Sequence, residues 1–488
     1  MNSQLLIISA LLLPIIGVIF IALTQKNINL RETCTLITSV ALIYIVYSLL
    51  PAVLNGVHPE LYLFNITSSL AIHFKVEPLG MLFACIASFL WLINSIYSIG
   101  YMRSNKYKHQ TRFYIYFALA IASTIGIAFS ANLFTLFIFY EFLTLSTYPL
   151  VTHKGTDEVK RAGRIYLGIL LATSICLFLP AIIWTHYLTG TIEFTRGGVF
   201  NGDYQPIVII SLLLMFTYGI GKAAVMPVHR WLPSAMVAPT PVSALLHAVA
   251  VVKAGVFSVV KIIIYIFSPT FLSDIIDVNV LLYLAGATIL IASVIALRSD
   301  NLKRRLAYST ISQLSYVILA TALLVPISIM GAVLHILAHA FGKITLFFAA
   351  GAIYTATKKT EVSQLDGIGR CMPWTMAAFA IGSLSMIGIP PTAGFLSKWF
   401  ILQGALDIQS WFAVTVIVIS TLLNTAYFLP IVYVAFFRNS NTKNVCTYNE
   451  APFPIVLAVS ITALMTVILF FFPEVPLQLV KLLIGEGL

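Results

Sequence analysis

The sequence has few charged residues: Asp, Glu, Lys and Arg make up only 9% of its 488 residues, against about 25% in soluble domains. It also has no stretch that resembles a soluble domain, because the longest segments between apolar runs, near 56–75 and 187–206, have about 20 residues each. Hydrophobic residues make up 60% of the chain, and the mean hydropathy is +0.98. This composition excludes a soluble globular protein and predicts one membrane domain over residues 1–488.

The sequence also lacks the motifs of redox and hydrolytic enzymes. Its five cysteines are scattered, with no CxxC pair and no CxxCH, the spacings typical of metal, iron–sulfur and haem sites. No glycine-rich phosphate loop follows a strand pattern. We therefore expect no cofactor and no bound metal, and no redox or hydrolytic chemistry in this chain itself.

Apolar runs of about 20 residues predict transmembrane helices. We number fourteen such spans in chain order, and the expected fold class is an all-α polytopic membrane protein. The spans lie near 4–23, 33–55, 76–101, 112–129, 132–151, 163–188, 207–231, 240–266, 279–298, 305–324, 328–356, 374–404, 410–437 and 453–472.

The basic residues divide unevenly between the two sides of these spans. The loops after odd-numbered spans hold twenty lysines and arginines, whereas the opposite loops hold three, Lys75, Arg196 and Lys481. Because positive loops stay in the cytoplasm, both termini are predicted to lie outside it. The net charge of +11 is thus a topology signal, and it requires no nucleic-acid partner.

Several ionisable residues fall inside the predicted spans. Lys222, His247 and Lys253 lie in the apolar stretch 220–255, where a charge at the bilayer centre costs at least about 2.5–3.5 kcal/mol. Lys253 is at position 14 of a 27-residue run, too deep to reach the headgroups, whereas Lys261 near a span end could snorkel. Glu141 lies near the middle of the fifth span, and its expected partner is a buried lysine. The alternative is a Glu–Lys pair that only holds two helices together.

Two predicted spans contain helix-breaking residues beside a lysine. In the seventh span, Gly219 and Gly221 precede Lys222 and Pro227 follows it; in the twelfth, the segment 388–391 (GIPP) precedes Lys398. Such breaks persist in membranes where the freed backbone lines a polar cavity. The two spans cross in opposite directions, which is typical of inverted repeats. Lys222 is then displaced toward the cytoplasm and Lys398 toward the outside, although a simple proline kink and a snorkelling lysine remain alternatives.

The eleventh span carries a polar stripe. His335, His339 and Lys343 recur at four-residue spacing and therefore share one helix face. Histidine exchanges protons near neutral pH, and burial makes lysine easier to deprotonate, so the stripe favours a proton path. Either histidine alone could be a hydrogen-bonded core residue. Zinc binding is disfavoured because this span offers no third acidic or thiol ligand.

These motifs resemble a known family. The stretch MPVHRWLPSAMVAPTPVSALLHA, the row from His335 to Lys343 and GIPPTAGFLSKW are similar to the antiporter-like proton-transporting membrane subunits. That superfamily includes the L, M and N subunits of respiratory complex I, subunits of membrane-bound hydrogenases, and the A and D subunits of Mrp-type Na+/H+ antiporters. The match covers nearly the whole chain, and the stretches 235–255 and 372–399 look most like the D-type Mrp protein.

The resemblance implies a fold and a set of functional residues. It implies fourteen helices with two inverted five-helix repeats, 112–266 (spans four to eight) and 279–437 (spans nine to thirteen). It also implies a proton relay of protonatable side chains along the membrane. The family's principal relay positions match Glu141, Lys222, Lys253 and Lys398, and the polar positions between them match His247, His335, His339 and Lys343.

Three functions compete on this evidence. The first is the proton-translocating D-type subunit of a multisubunit Na+/H+ antiporter in the bacterial inner membrane, with other integral membrane subunits as partners and H+ and Na+ as ions. The second is a proton-pumping subunit of complex I or a membrane-bound hydrogenase, in which case the chain is part of a translocase. The third, an organic-solute transporter, is disfavoured because the interior is a line of protonatable groups rather than an aromatic and polar pocket.

Two differences from the complex I subunits limit which of those subunits the second function could involve. The complex I M subunit usually has glutamate where Lys398 stands, which argues against that subunit. The L subunit continues into a long lateral helix, whereas this sequence is expected to stop about 16 residues after its last span.

Overall fold

The computed structural model describes residues 3–67, 70–275, 279–438 and 449–487, and helices dominate it. A helix, or a pair of helices, lies at each of the fourteen predicted spans. The helices are α1 Ser3–Leu23, α2 Ile28–Leu54, α3 Pro78–Ser104, α4 Gln110–Phe129, α5 Leu133–Val151, α6 Asp157–Thr173, α7 Leu179–Thr189, α8 Pro206–Gly219, α9 Trp231–Ser234, α10 Thr240–Ala244, α11 Val251–Ile262, α12 Pro269–Ser273, α13 Asn279–Arg298, α14 Leu302–Ala322, α15 Pro326–Thr357, α16 Ile368–Cys371, α17 Pro373–Ile387, α18 Ala393–Asp407, α19 Trp411–Phe437, α20 Phe453–Phe471 and α21 Glu474–Gly487.

Eleven helical segments of the described chain are long and apolar enough to cross a membrane. The helices α8 and α17 are shorter apolar pieces, and each belongs to one of the two spans predicted to be broken. The tenth predicted span is α14, which is rich in serine and threonine and is almost completely buried among other helices. The prediction of a polytopic helical membrane protein is therefore confirmed.

Successive membrane-spanning helices end alternately on two opposite faces of the bundle. On the face reached after odd-numbered spans, Asn301 bridges to Glu361, and Arg112 donates to the carbonyl oxygen of His153. We call this the basic face, because it holds the positively charged loops. On the opposite face, Asn132 bridges to Glu193, and the amide of Val199 donates to the carbonyl oxygen of Ile266 at 2.9 Å.

The opposite face carries a feature that the hydrophobic pattern did not predict. The segment between α2 and α3, expected only as a loop, forms an antiparallel hairpin of β1 Glu60–Thr67 and β2 Leu70–Lys75. Its second strand reaches the helix bundle, because Phe74 bridges to Ser130 and the carbonyl oxygen of His73 accepts from the amide of Ala131. We call this side the hairpin face.

Both predicted helix breaks are present. The helix α8 ends at Gly219, and the chain continues through short 3₁₀ turns with Ala224 in the left-handed region, φ +56°. The indole nitrogen of the buried Trp231 donates to the carbonyl oxygen of Gly221 and so fixes the unwound segment. In the twelfth span α17 ends at Ile387, Gly388 has φ +94°, and α18 begins only at Ala393. A residue with a Cβ is disfavoured at this φ, so position 388 favours glycine.

The eighth and eleventh spans form the centre of the bundle. The most apolar windows of Thr240–Phe267 and Pro326–Thr357 are completely buried, whereas fewer than half of the residues in the corresponding windows of α1 and α20 are buried. The eighth span is not a regular helix, because a π-helical turn, Leu245–Val249, connects α10 to α11 and contains His247. π-Turns of this kind are frequent at functional sites. The central helices therefore carry most of the ionisable residues predicted from sequence.

Gly255 allows the seventh and eighth spans to pack in direct contact. A Cβ at Gly255 would lie 2.4 Å from the carbonyl carbon of Lys222 and 2.3 Å from the amide nitrogen of Ala223. Because these atoms belong to the backbone, they cannot move aside as a flexible side chain could. The close packing of α11 on the segment that carries Lys222 therefore requires glycine at position 255.

Gly255→Ala should destabilise the protein by about 1–3 kcal/mol, as overpacking of a tight core does. The midpoint of thermal denaturation in detergent, measured by size-exclusion chromatography after heating, should fall. Gly168→Ala is the matched control, since no atom lies within 4 Å of a Cβ at that helical glycine. Equal midpoints for the two variants would contradict this account of the contact.

Candidate functional site

Lys222 lies in the unwound segment after α8, and it is completely buried. Its ammonium group donates to the carbonyl oxygen of Tyr140 at 2.8 Å and to the hydroxyl oxygen of Thr144 at 2.6 Å, both on α5. The amide nitrogen of Lys222 also donates to the Tyr140 hydroxyl at 3.1 Å. The broken helix thus presents this lysine, backbone and side chain together, to one face of α5.

Glu141 follows Tyr140 on α5 and is close enough to interact electrostatically with Lys222. Its two carboxylate oxygens are nevertheless buried without a hydrogen-bond partner in the described chain. The expected ion pair between Glu141 and Lys222 is therefore open in this structure, because the lysine is turned toward Tyr140 and Thr144. Glu141 as a whole is partly exposed, and its neighbour Phe142 is strongly exposed, which places this part of α5 at the edge of the bundle.

Lys398 occupies the second helix break. It lies on α18, and its ammonium group donates to the carbonyl oxygens of Met386 at 2.8 Å and Ile387 at 3.0 Å, the last residues of α17. These carbonyls have no partner within their own helix, because the helix ends there. The break in the twelfth span therefore supplies the acceptors that hold a buried cation, and the negative end of the α17 dipole adds to their attraction.

A hydrogen-bonded path leads inward from this second break. The ring of His335 on α15 contacts the hydroxyl of Ser397 at 2.9 Å, next to Lys398, and the side-chain oxygen of Gln313 at 3.0 Å. The Gln313 amide in turn donates to the carbonyl oxygen of Met386, which also accepts from Lys398. Hydrogen bonds therefore link His335 to the atoms that solvate Lys398.

The path continues along α15 to the centre of the protein. The rings of His335 and His339 are 6.1 Å apart between centroids, and Nδ1 of His339 contacts the ammonium group of Lys253 on α11. All three residues are completely buried. The stripe predicted on the eleventh span thus joins the lysine predicted on the eighth, and the structure brings Lys398, His335, His339 and Lys253 into one polar line.

Lys343 and His247 lie beside this line. The Lys343 ammonium donates to the hydroxyl of Ser309 on α14 at 2.6 Å, and that hydroxyl also accepts from Tyr427 on α19. Both ring nitrogens of His247 are buried without a partner in the described residues, and Lys343 is close enough to interact with it electrostatically. In the described chain neither residue is hydrogen-bonded to Lys253 or Lys398, and Lys343 is close enough to interact electrostatically with both.

The structure corrects the interpretation of Lys261 and adds an acidic residue that sequence reasoning missed. Lys261 does not snorkel to the headgroups: it is completely buried, and its ammonium lies 2.9 Å from a carboxylate oxygen of Glu77. Glu77 precedes α3 and is itself 3% exposed. Its place at the edge of the predicted third span gave no sign of burial, because its partner Lys261 and the loop after α4 are distant in sequence.

Family comparison agrees with this geometry. Residues 130–424 match the transmembrane family described as NADH:quinone oxidoreductase/Mrp antiporter. Subunit N of an NADH-quinone oxidoreductase from Desulforudis audaxviator (strain MP104C) is 33% identical over 377 residues, which cover 75% of this chain and 73% of that protein. The chloroplastic NAD(P)H-quinone oxidoreductase subunit 5 of Arabidopsis thaliana is 30% identical over 448 residues, but the chain spans only 58% of that protein's length.

Two solved structures share the fold over almost their whole length. A chain in the Mrp complex from Dietzia sp. DQ12-45-1b has a TM-score of 0.88 and 20% identity, covering 99% of this chain and 97% of that one. A chain of the membrane-bound sulfane sulfur reductase, an archaeal respiratory membrane complex, has a TM-score of 0.86 and 22% identity, covering 98% and 97%. At these identities the likeness concerns the fold. With the matching family over residues 130–424, it follows that the chain is a multi-pass membrane protein that belongs to the NADH:quinone oxidoreductase/Mrp antiporter family.

Proposed function

We propose that the chain is the proton-translocating membrane subunit of a multisubunit Na+/H+ antiporter in the bacterial inner membrane. The observation that supports this most directly is the buried polar line from Lys398 through His335 and His339 to Lys253. Each member can bind or release a proton, and all four side chains are buried inside the helix bundle. Proton exchange between neighbouring protonatable groups is the chemistry that such a line supports.

The repeats predicted over 112–266 and 279–437 give the relay two ends. Lys222 and Lys398 each lie at a helix break, and backbone carbonyls accept from each ammonium group. We propose that Lys222 exchanges protons with the cytoplasm and Lys398 with the outside, with the basic face toward the cytoplasm and both termini outside it. Lys253, His335 and His339 then pass protons between the two ends in the plane of the membrane.

Glu141 is proposed as the switch at the first end. When its carboxylate pairs with Lys222, the ammonium form of the lysine is stabilised; when the pair is open, as in this structure, only neutral acceptors hold the lysine. Opening the pair would therefore release the proton from Lys222 toward Lys253. Since Glu141 lies at the edge of the bundle, a neighbouring membrane subunit of the complex could control this step.

The second candidate function is a proton-pumping subunit of an NADH-quinone oxidoreductase or a related respiratory complex. The identity of 33% to the Desulforudis subunit N favours it, and the same relay would serve. The two functions differ in what drives the protons. In everted vesicles that hold the assembled complex, Na+ addition alone should dissipate a pH gradient if the complex is an antiporter. Proton movement that requires an electron donor and does not change when Na+ is added would favour the respiratory function.

Glu141→Ala should abolish Na+-dependent proton antiport and leave the complex assembled, because Lys222 would lose its only proposed charge partner. Fluorescence of a pH-gradient dye in everted vesicles measures the transport. The control is Asp157→Ala, which removes a fully exposed carboxylate on the basic face. Transport by the Glu141 variant at the wild-type rate would show that the pairing has no such role.

Cysteines at positions 222 and 398 should react with a membrane-impermeant thiol reagent from opposite sides, 222 from the cytoplasm and 398 from outside. The reason is the placement of the two lysines in breaks of spans that cross in opposite directions. The background lacks all five native cysteines, and the background protein itself is the blank. Labelling of both positions from one side would contradict the arrangement of two opposed half-channels.

A further inference from the structure

A buried ion pair lies apart from the relay, near the hairpin face. Lys261 on α11 and Glu77 before α3 are 2.9 Å apart, with side chains that are 0% and 4% exposed. The Lys261 ammonium also donates to the carbonyl oxygen of Ser130 at 2.7 Å, and it lies 4.5 Å from the centre of the Phe194 ring. Burying such a pair is costly, and packing two apolar residues there would often be as stable. A purely structural role therefore explains the pair poorly.

Directly beyond the pair, a cavity of about 300 Å³ opens at the hairpin face. Glu77 itself lines it, and so does His73 of β2, whose ring nitrogens lie 3.2 Å from Glu193 and 3.8 Å from Glu60. Its remaining charged and titratable lining residues are His58, Tyr62, Lys75, Arg196 and Tyr265. The cavity is thus walled by groups that can accept and release protons, and it connects the buried pair with the exposed surface of the hairpin face.

On its inner side the pair approaches the relay. Lys253 and Lys261 are both on α11, eight residues apart, which corresponds to about 12 Å along a helix. Phe257 lies between them, four residues from each, and therefore on the same stripe. Its ring packs against Phe83, with centroids 4.9 Å apart, and is 5.7 Å from the Lys261 ammonium. One aromatic side chain thus separates the buried pair from the central lysine.

We propose that Lys261 and Glu77, with the cavity beyond them, form an additional proton port from Lys253 to the hairpin face, and that Phe257 is its gate. The inference rests on the proposed proton relay and adds to it a branch within the first half of the protein. Its ligand is the proton, carried by water that enters the cavity. This port is distinct from the one proposed at Lys398, which lies at the break of the twelfth span.

The proposed cycle moves one proton from Lys253 to the cavity. The Lys261 ammonium gives a proton to the Glu77 carboxylate, which leaves a neutral amine and a neutral acid. When the Phe257 ring moves aside, the neutral Lys261 accepts a proton from the Lys253 ammonium through water. The Glu77 acid then releases its proton to water in the cavity, where His73 and Glu193 can accept it, and the ion pair is restored.

The test replaces the ion pair by apolar residues of similar size, Glu77→Leu with Lys261→Met, in the assembled complex. If the pair only joins helices, the double variant should assemble and transport protons as the wild type does. If the pair is a port, the complex should assemble while proton transport falls on the order of 100-fold, the scale of a lost proton-transfer group. The matched control is Asp366→Leu with Arg438→Met, which removes a more exposed ion pair on the basic face.

A labelling experiment gives a readout that needs no transport. In the same background without native cysteines, Ser258→Cys places a thiol on the buried turn between Lys253 and Lys261. It should resist an impermeant thiol reagent, and it should react from the hairpin face, and not from the basic face, once Phe257→Ala is added. Phe257→Leu is the gate control, and Thr195→Cys, on the exposed rim of the cavity, is the positive control. No labelling in the Phe257→Ala variant would overturn the gate and the port.

Comparison with Lys222→Met separates this inference from the proposed function. If Lys222→Met stops proton transport while the apolar Glu77/Lys261 variant transports normally, the port is wrong and the relay stands. If Lys222→Met also transports at the wild-type rate, the relay itself is wrong, and the port fails with it. Loss of transport in both variants, together with labelling of Ser258→Cys from the hairpin face, supports the port.

Discussion

Five lysine side chains lie inside a bundle that is otherwise apolar, and protein atoms must solvate each ammonium group. In the described chain, Lys222, Lys343 and Lys398 use backbone carbonyl or hydroxyl oxygens, Lys253 uses a histidine ring, and Lys261 uses a carboxylate together with a carbonyl. A carboxylate strongly stabilises the charged ammonium form of a lysine. A neutral acceptor stabilises that form less, so the neutral amine remains accessible. Four of the five sites therefore hold the lysine through neutral acceptors alone.

The breaks in the helices follow from the same requirement. Each carbonyl inside a regular helix already accepts one hydrogen bond, so it holds a buried cation less readily than a free carbonyl at a helix end does. Ending α17 at Ile387 frees the carbonyls that hold Lys398, and unwinding the chain after α8 brings Lys222 to the backbone of α5. The Trp231 indole and the packing at Gly255 hold the unwound segment in place. Helix breaks that would destabilise a simple membrane helix thus allow this protein to hold lysines inside its membrane-spanning region.

The arrangement also explains why one fold can serve different complexes. In the proposed mechanism the side chains of the polar line only bind and release protons, so the energy for transport is supplied from outside this line. Glu141 at the edge of the bundle is a point where a neighbouring subunit could act, since its carboxylate has no partner in the described chain and lies close to Lys222. Ion gradients or a redox partner could drive the same relay. Similarity to both antiporter and quinone oxidoreductase proteins is consistent with such a division of labour.

The sequence by itself determined the membrane class, the positions of the helices and the two broken spans, because hydrophobic length and Gly/Pro placement are local properties. It also identified the ionisable residues of the interior, since a lysine such as Lys253 in the middle of an apolar run is too costly to be there for packing alone. Only the tertiary structure decided which of them meet. The contact of Lys253 with His339 joins residues 86 positions apart, and the link of His335 to Gln313 and Ser397 depends on how three helices pack. The burial of Glu77 with Lys261 was likewise invisible in the sequence, because the two residues are far apart in the chain and meet only where α11 packs against the start of α3.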